Sequence, residues 1–132
     1  YFSRAFVNIS LIPDTGGTYW LPKLLGRQQA NYLAFTGKKI SAKEAKDLGL
    51  IADVFEDENF VQNAMEVLEQ ISNLPTKAIS LTKKAFNESY DNTLTQQLDI
   101  ESILQQEAAE SADFMEGVSA FLEKRTPEYT GK

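Results

Sequence analysis

Only one stretch of this chain, YFSRAFVNISLI at residues 1–12, reads as a strand of any length, and no partner strand follows it soon. A strand without a neighbour leaves its backbone N–H and C=O groups unpaired, so an isolated one is not a stable element. Its natural partners are therefore expected N-terminal to Tyr1, which would make these 132 residues a fragment of a longer protein.

The rest of the sequence is patterned for helices. PDTGGTYWLPKLLG reads as a loop turning into an apolar helix that Gly26 closes, with Pro22 tolerable only near the first turn or at a kink. RQQANYLAFTG repeats the scheme, with Ala30, Leu33 and Ala34 on one face and Gly37 just past the end. SAKEAKDLG carries a capping box, Ser41 with Glu44, and a glycine stop at Gly49. LIADVF follows as a short buried strand or an extended link.

From Asp57 the character changes. Phe60, Val61, Ala64, Met65, Leu68 and Ile71 trace one helical stripe. Pro75 opens a second helix, with Ala78, Ile79, Ala85, Phe86 and Tyr90 on its stripe. Thr93 with Gln96 forms another capping-box pair, and a last helix runs near Asp113 to Arg125, with Pro127 and Gly131 marking a frayed end. Two regions are expected: a mixed one over 1–56 and an all-helical one over 57–132. Asp99, Glu101, Glu107 and Glu110 read as a solvated face, and Lys83 and Lys84 as exposed charge.

Composition narrows the chemistry. Nineteen acidic against thirteen basic residues give a net charge of −6, which repels nucleic acid and anionic membrane surfaces. There is no histidine and no cysteine, so neither disulfides nor the usual zinc ligands are available and no metal site is expected. Acid–base work falls to Asp, Glu, Lys or Tyr. No apolar segment approaches the roughly 20 residues that span a bilayer, and no basic-then-apolar signal opens the chain. A cytoplasmic protein is the simplest expectation.

The one carboxylate in an arresting position is Asp14, in LIPDTGG, at the mouth of a glycine pair. Two roles fit its local sequence. An aspartate there starts a helix, because its carboxylate accepts backbone N–H bonds and favours the positive end of the helix dipole. The same group at a strand-to-helix corner can carry a proton.

The order of four segments, AFVNISLIPDTGGTYWLPKLLG, LAFTGKKISAKEAKDLGLIADVF, LPTKAISLTKKAFN and EGVSAFLEKRTPEY, resembles the C-terminal half of the crotonase superfamily, the enoyl-CoA hydratases and isomerases. The joint spacing of the Pro-Asp-x-Gly-Gly-Thr loop, the Thr-Gly and the Ala-x-x-Gly-Leu-Ile segments carries the resemblance. It implies an α/β fold, the C-terminal part of a spiral of ββα units, predominantly helical here. Residues 1–56 would be the last turn of that spiral and 57–132 the helical region that packs subunits into a trimer or a dimer of trimers.

The family's chemistry implies acyl-CoA as substrate, with coenzyme A part of that substrate and no separate cofactor. An enolate-like transition state needs an acid–base group and two N–H groups on the developing oxyanion; the latter pair belongs to the missing N-terminal part. Hydratases of the family use a glutamate eight residues before the Asp14 position, where this chain has Phe6. Asp14 stands where isomerases carry an aspartate, including dienoyl-CoA isomerases and the ring-epoxide isomerases of phenylacetate degradation. The resemblance thus favours Asp14 as the catalytic residue of an isomerase. A 2-enoyl-CoA hydratase, as in fatty acid metabolism, is the alternative. A second is a non-catalytic oligomerisation and CoA-contacting module.

The resemblance also implies substrate-binding residues. Gly16 and Gly17 would allow close backbone approach beside the acyl group, though turn geometry explains them as well. Trp20, with Tyr19, would line the acyl pocket or else belong to the core. Phe121 and Lys124 fall where the family presents an aromatic and a lysine to the adenine and phosphates of CoA in a neighbouring subunit. The competing assignment makes Phe121 core and Lys124 a solvated tip.

Overall fold

The structure, a computed structural model, describes all residues from Tyr1 to Lys132 and divides into two compact units, Tyr1–Asn59 and Phe60–Lys132. No helix in either is long and apolar enough to cross a membrane.

In the first unit the opening residues do not form the expected strand. Ala5–Ile9 is a 3₁₀ helix, closed by Ser10 in the left-handed region with its N–H on the carbonyl of Val7, and Leu11 N–H returns to Phe6 O at 3.0 Å. The β-pairing in the unit is one antiparallel bridge, Phe2 to Ile40, with reciprocal N–H···O bonds of 2.9 Å. The physical reason is backbone satisfaction: with one bridge in place of a ladder, the following residues use short-range i→i+3 bonds instead.

Helix α1 is Gly17–Thr36 and helix α2 is Ala42–Asp47. As the glycine pattern predicts, α1 is two helical segments meeting at Gly26, whose φ of 73° and ψ of 159° no helix tolerates. Gly37 ends it in the left-handed region, donating to Leu33 O. The capping box of α2 is complete: Glu44 N–H donates to Ser41 Oγ at 3.1 Å, and Ser41 N–H to Glu44 Oε2 at 2.8 Å. Leu33, Ile40 and Ala45 form the core of this unit, with Leu25, Leu48, Leu50 and Ile51 packed around them. Residues 50–56 form no strand, with a bend over 50–52 and an irregular link after it.

The second unit contains α3 (Phe60–Ser72), α4 (Thr76–Glu88), α5 (Leu94–Ala109) and α6 (Ala112–Glu123). The Thr93–Gln96 capping box opens α5, and Gln97 Nε2 donates to Ala85 O at 3.1 Å, tying the start of α5 to the end of α4. Helices α4 and α5 pack together, and α6 follows against α5. Leu104 and Ala120 are buried, yet the predicted apolar stripe of α3 stays open: Val61 is 72% exposed and Leu68 57%.

The frayed C-terminus expected from Pro127 and Gly131 is not what forms. Asp113, only 3% exposed, accepts from the N–H of Thr130 at 2.7 Å and of Gly131 at 2.8 Å, and from the Thr130 hydroxyl at 3.2 Å. Asp113 N–H donates to Lys132 O. Glu116 accepts from Glu128 N–H and from both Nη atoms of Arg125. The tail is ordered because two carboxylates on one face of α6 supply acceptors for backbone amides that would otherwise bond only to water.

These contacts set a pH dependence. The Thr130 amide is the main cause holding Asp113 below its ordinary value, and the Arg125 guanidinium holds Glu116 down from 4.5 to about 2. A depressed carboxyl stabilises fully above its unfolded pKa and loses that contribution as pH falls through the folded one. The tail should stay docked down to about pH 4.5 and release between there and about pH 2. Amide NMR signals of Thr130 and Gly131 report this directly; signals unchanged at pH 2, or already collapsed at pH 6, would contradict it.

Candidate functional site

The loop Pro13–Gly17 turns the chain from the 3₁₀ helix into α1. Asp14 O accepts the N–H of Gly17 at 2.8 Å, closing a tight turn through Thr15 (φ 51°) and Gly16 (φ 76°), both left-handed. Arg4 Nη1 reaches the same carbonyl at 3.4 Å. Its guanidinium lies where a side chain on Gly17 would sit: a Cβ there would be 3.2 Å from Cζ and 3.3 Å from Pro13 Cβ. A side chain on Gly17 would therefore press on Arg4 and Pro13 by a few tenths of an ångström, and Gly17 is buried.

The consequence concerns the carboxylate. The N-cap of α1 is Gly16, with no side-chain capping bond, so Asp14 is not the helix-capping residue that its local sequence allowed. Its backbone carbonyl closes the corner, while the exposed carboxylate accepts the Thr15 hydroxyl at 3.1 Å. Nothing in the corner requires the acid itself.

Trp20 stands on the same corner. Its N–H bonds to Gly16 O at 2.9 Å, and a Cβ on Gly16 would lie 3.1 Å from Trp20 Cδ1. Tyr19 meets Trp20 edge to face, ring centroids 4.9 Å apart, and Lys23 Nζ sits 3.9 Å over the Tyr19 ring. Both rings are open to solvent in this unit, Trp20 by 45%, so neither is core there. A groove of about 460 Å³ starts beside the corner, lined by Ile12, Pro13, Gly17, Leu21, Ala30 and Phe35 among others. Phe6 lies on the 3₁₀ helix Ala5–Ile9.

Asp14, Gly16, Gly17 and Trp20 therefore gather at one corner of the first unit. Phe121 and Lys124 belong to the second, at the end of α6. Phe121 is 82% exposed, which removes the core assignment within this unit, and Lys124 caps the helix at φ 55°, ψ 39°. No three carboxylates converge to hold a metal ion.

Sequence reasoning missed Arg4, Asp113, Glu116 and Arg125. An acid in the first turn of α6 was a visible signal for Asp113. Arg4 and Arg125 bond to partners ten and nine residues away, beyond any helical spacing, so no local pattern marks them.

With this geometry in hand, similarity to known proteins becomes informative. The chain is 44% identical over 131 residues to 1,2-epoxyphenylacetyl-CoA isomerase of Escherichia coli (strain K12), covering 99% of this chain and 50% of that protein. It is 43% identical to a probable enoyl-CoA hydratase of Rhodobacter capsulatus, covering 99% and 51%. The chain spans about half the length of the curated relatives it matches. The crystal structure of enoyl-CoA hydratase from Bacillus anthracis superposes with a TM-score of 0.89 at 35% identity, over 98% of this chain and 50% of that one. The crotonase fold implied by the resemblance is thus present, in a portion that is 67% helical. The family model for enoyl-CoA hydratase/isomerase matches residues 1–132 throughout, and the chain belongs to that family.

Proposed function

We propose that this chain is the C-terminal half of an enzyme that isomerises a double bond or an epoxide of an acyl-CoA thioester, with Asp14 as the proton carrier. The observation that carries this reading is the corner itself: the Asp14 carbonyl closes the turn and leaves the carboxylate exposed; the resemblance adds that Phe6 stands where hydratases of the family carry a glutamate. For the double-bond case, the proposed step has the Asp14 carboxylate take a proton from the carbon next to the thioester carbonyl. The electrons move onto the carbonyl oxygen, where two N–H groups outside these residues hold them, and the proton returns at another carbon. The apolar groove beginning on the same loop supports an acyl ligand.

Phe121 and Lys124 are proposed to contact the nucleotide of coenzyme A, the exposed ring stacking on adenine and the ammonium facing phosphate. Coenzyme A enters as part of the substrate, with no separate cofactor. The open apolar side chains of the second unit, among them Val61, Phe86, Leu94, Ile103 and Met115, support a trimer or dimer of trimers, with 57–132 as the oligomerisation region and 1–56 as the last spiral turn. Hydration of 2-enoyl-CoA is the second reading, favoured by relatives that carry a hydratase name at nearly the same identity.

Three outcomes follow in the full-length protein. Asp14→Asn should lower kcat for isomerisation of a 3-enoyl or dienoyl-CoA by about 10² to 10⁴ with little change in KM. Retained isomerisation in that variant defeats the assignment, and faster hydration than isomerisation by the unmodified protein favours the second reading. Gly16→Ala should cost about 1–2 kcal/mol in a denaturant titration through its positive φ, and lower kcat as the corner shifts; unchanged stability and rate would contradict the described turn. Light scattering should give the mass of a trimer or hexamer, and a monomer would exclude the assembly.

A further inference from the structure

We infer that Glu116, supported by Asp113, is a positioning residue for Lys124 in its nucleotide contact beside Phe121, an assignment that rests on the reading of that pair given above. Lys124 is a non-glycine residue in the left-handed region, a conformation that persists only where its surroundings over-determine it. Backbone bonds close the helix end through it, Lys124 N–H to Phe121 O and Arg125 N–H to Ala120 O, and the side chain of Arg125 then ties that turn to the body of the helix. Arg125 is gripped on two edges: Nη1 and Nη2 bond to the two oxygens of Glu116 at 2.5 and 2.8 Å, and Nε to Glu123 at 2.7 Å. A guanidinium held in this forked way has one orientation, whereas a single-point contact would leave it free to swing.

The grip extends along the tail. Asp113 and Glu116 are three residues apart, so they stand on one face of α6. Glu116 also takes the amide of Glu128, and Asp113 those of Thr130 and Gly131. The Tyr129 hydroxyl covers Gly117, where a Cβ would be 3.3 Å away, and Gly131 packs so closely on Thr76 Oγ1 that a Cβ would come within 2.5 Å. Residues 125–131 therefore run back over the helix they have just left, and the reversal falls on Lys124. Neither carboxylate needs to meet a ligand. Together they fix the corner from which the ammonium projects, one turn beyond the exposed Phe121 ring.

The test compares an acyl-CoA with the matching acyl-pantetheine thioester, which lacks the nucleotide, in the full-length enzyme. Glu116→Gln should raise KM for the acyl-CoA about tenfold, leave kcat unchanged and leave KM for the acyl-pantetheine where it was. Arg125→Lys, which keeps the charge but loses the fork, should move KM the same way by less, and it carries the comparison if Glu116→Gln fails to fold. Glu116→Gln combined with Lys124→Ala should be no worse than Lys124→Ala alone. If Lys124→Ala raises KM for the acyl-CoA while Glu116→Gln and Arg125→Lys do not, positioning is overturned and the nucleotide contact stands. If Lys124→Ala and Phe121→Ala both leave it unchanged, the nucleotide contact fails and positioning with it. Equal losses on both thioesters in Glu116→Gln and Arg125→Lys mean general damage and also overturn the assignment.

Discussion

The hydrogen bond from Gly17 N–H to Asp14 O governs how the first unit presents its chemistry. It closes a turn through two consecutive left-handed residues, which is why the sequence needs Gly16 there and why Thr15 is strained. By using the backbone carbonyl, the corner starts α1 without an acidic cap. A capping side chain at Gly16 would be worth about 1 kcal/mol, and the chain carries none there. Arg4 completes the corner by filling the space over Gly17 and reaching the same carbonyl. The arrangement fixes where the Asp14 backbone lies and leaves its carboxylate exposed.

The second unit solves a different problem with similar means. Its helices are amphipathic, but much of the apolar surface stays open, so hydrophobic burial within the unit is small and polar ties define its local geometry. Gln97 joins α5 to α4, and Asp113 and Glu116 join the tail to α6. The tail ties pair a carboxylate with backbone amides left without a helical partner, groups whose desolvation is costly when unmet, while Gln97 adds a second donor to a carbonyl that already accepts Ser89 N–H. In both units a polar contact to the main chain sets the direction of a corner, and the proposed functional residues stand at those corners.

The elements that could be read from sequence are those whose determinants lie within a few residues. The capping boxes at Ser41–Glu44 and Thr93–Gln96 formed as their spacing requires, and Gly26 and Gly37 stopped the helices where the apolar pattern broke. The opening strand was misread because AFVNIS has strand-forming residues, while the choice between ladder and 3₁₀ helix depends on which backbone groups lie alongside. The docked tail was invisible for the same reason: Asp113 meets Thr130 and Gly131 across 17 and 18 residues. At the candidate site, the sequence pointed to Asp14 but could not tell whether its carbonyl or its carboxylate would close the turn. That distinction is geometric, and it bears most on function.

The central claim is that this corner holds the Asp14 carboxylate toward an acyl thioester. A crystal structure of the full-length protein with a bound, unreactive saturated acyl-CoA tests it most directly. The result expected is an Asp14 carboxylate oxygen within about 3–3.5 Å of a carbon between which the proton would move. A carboxylate turned away from the acyl chain and bonded to the N–H groups of Gly16, Gly17 or Thr18 would contradict it.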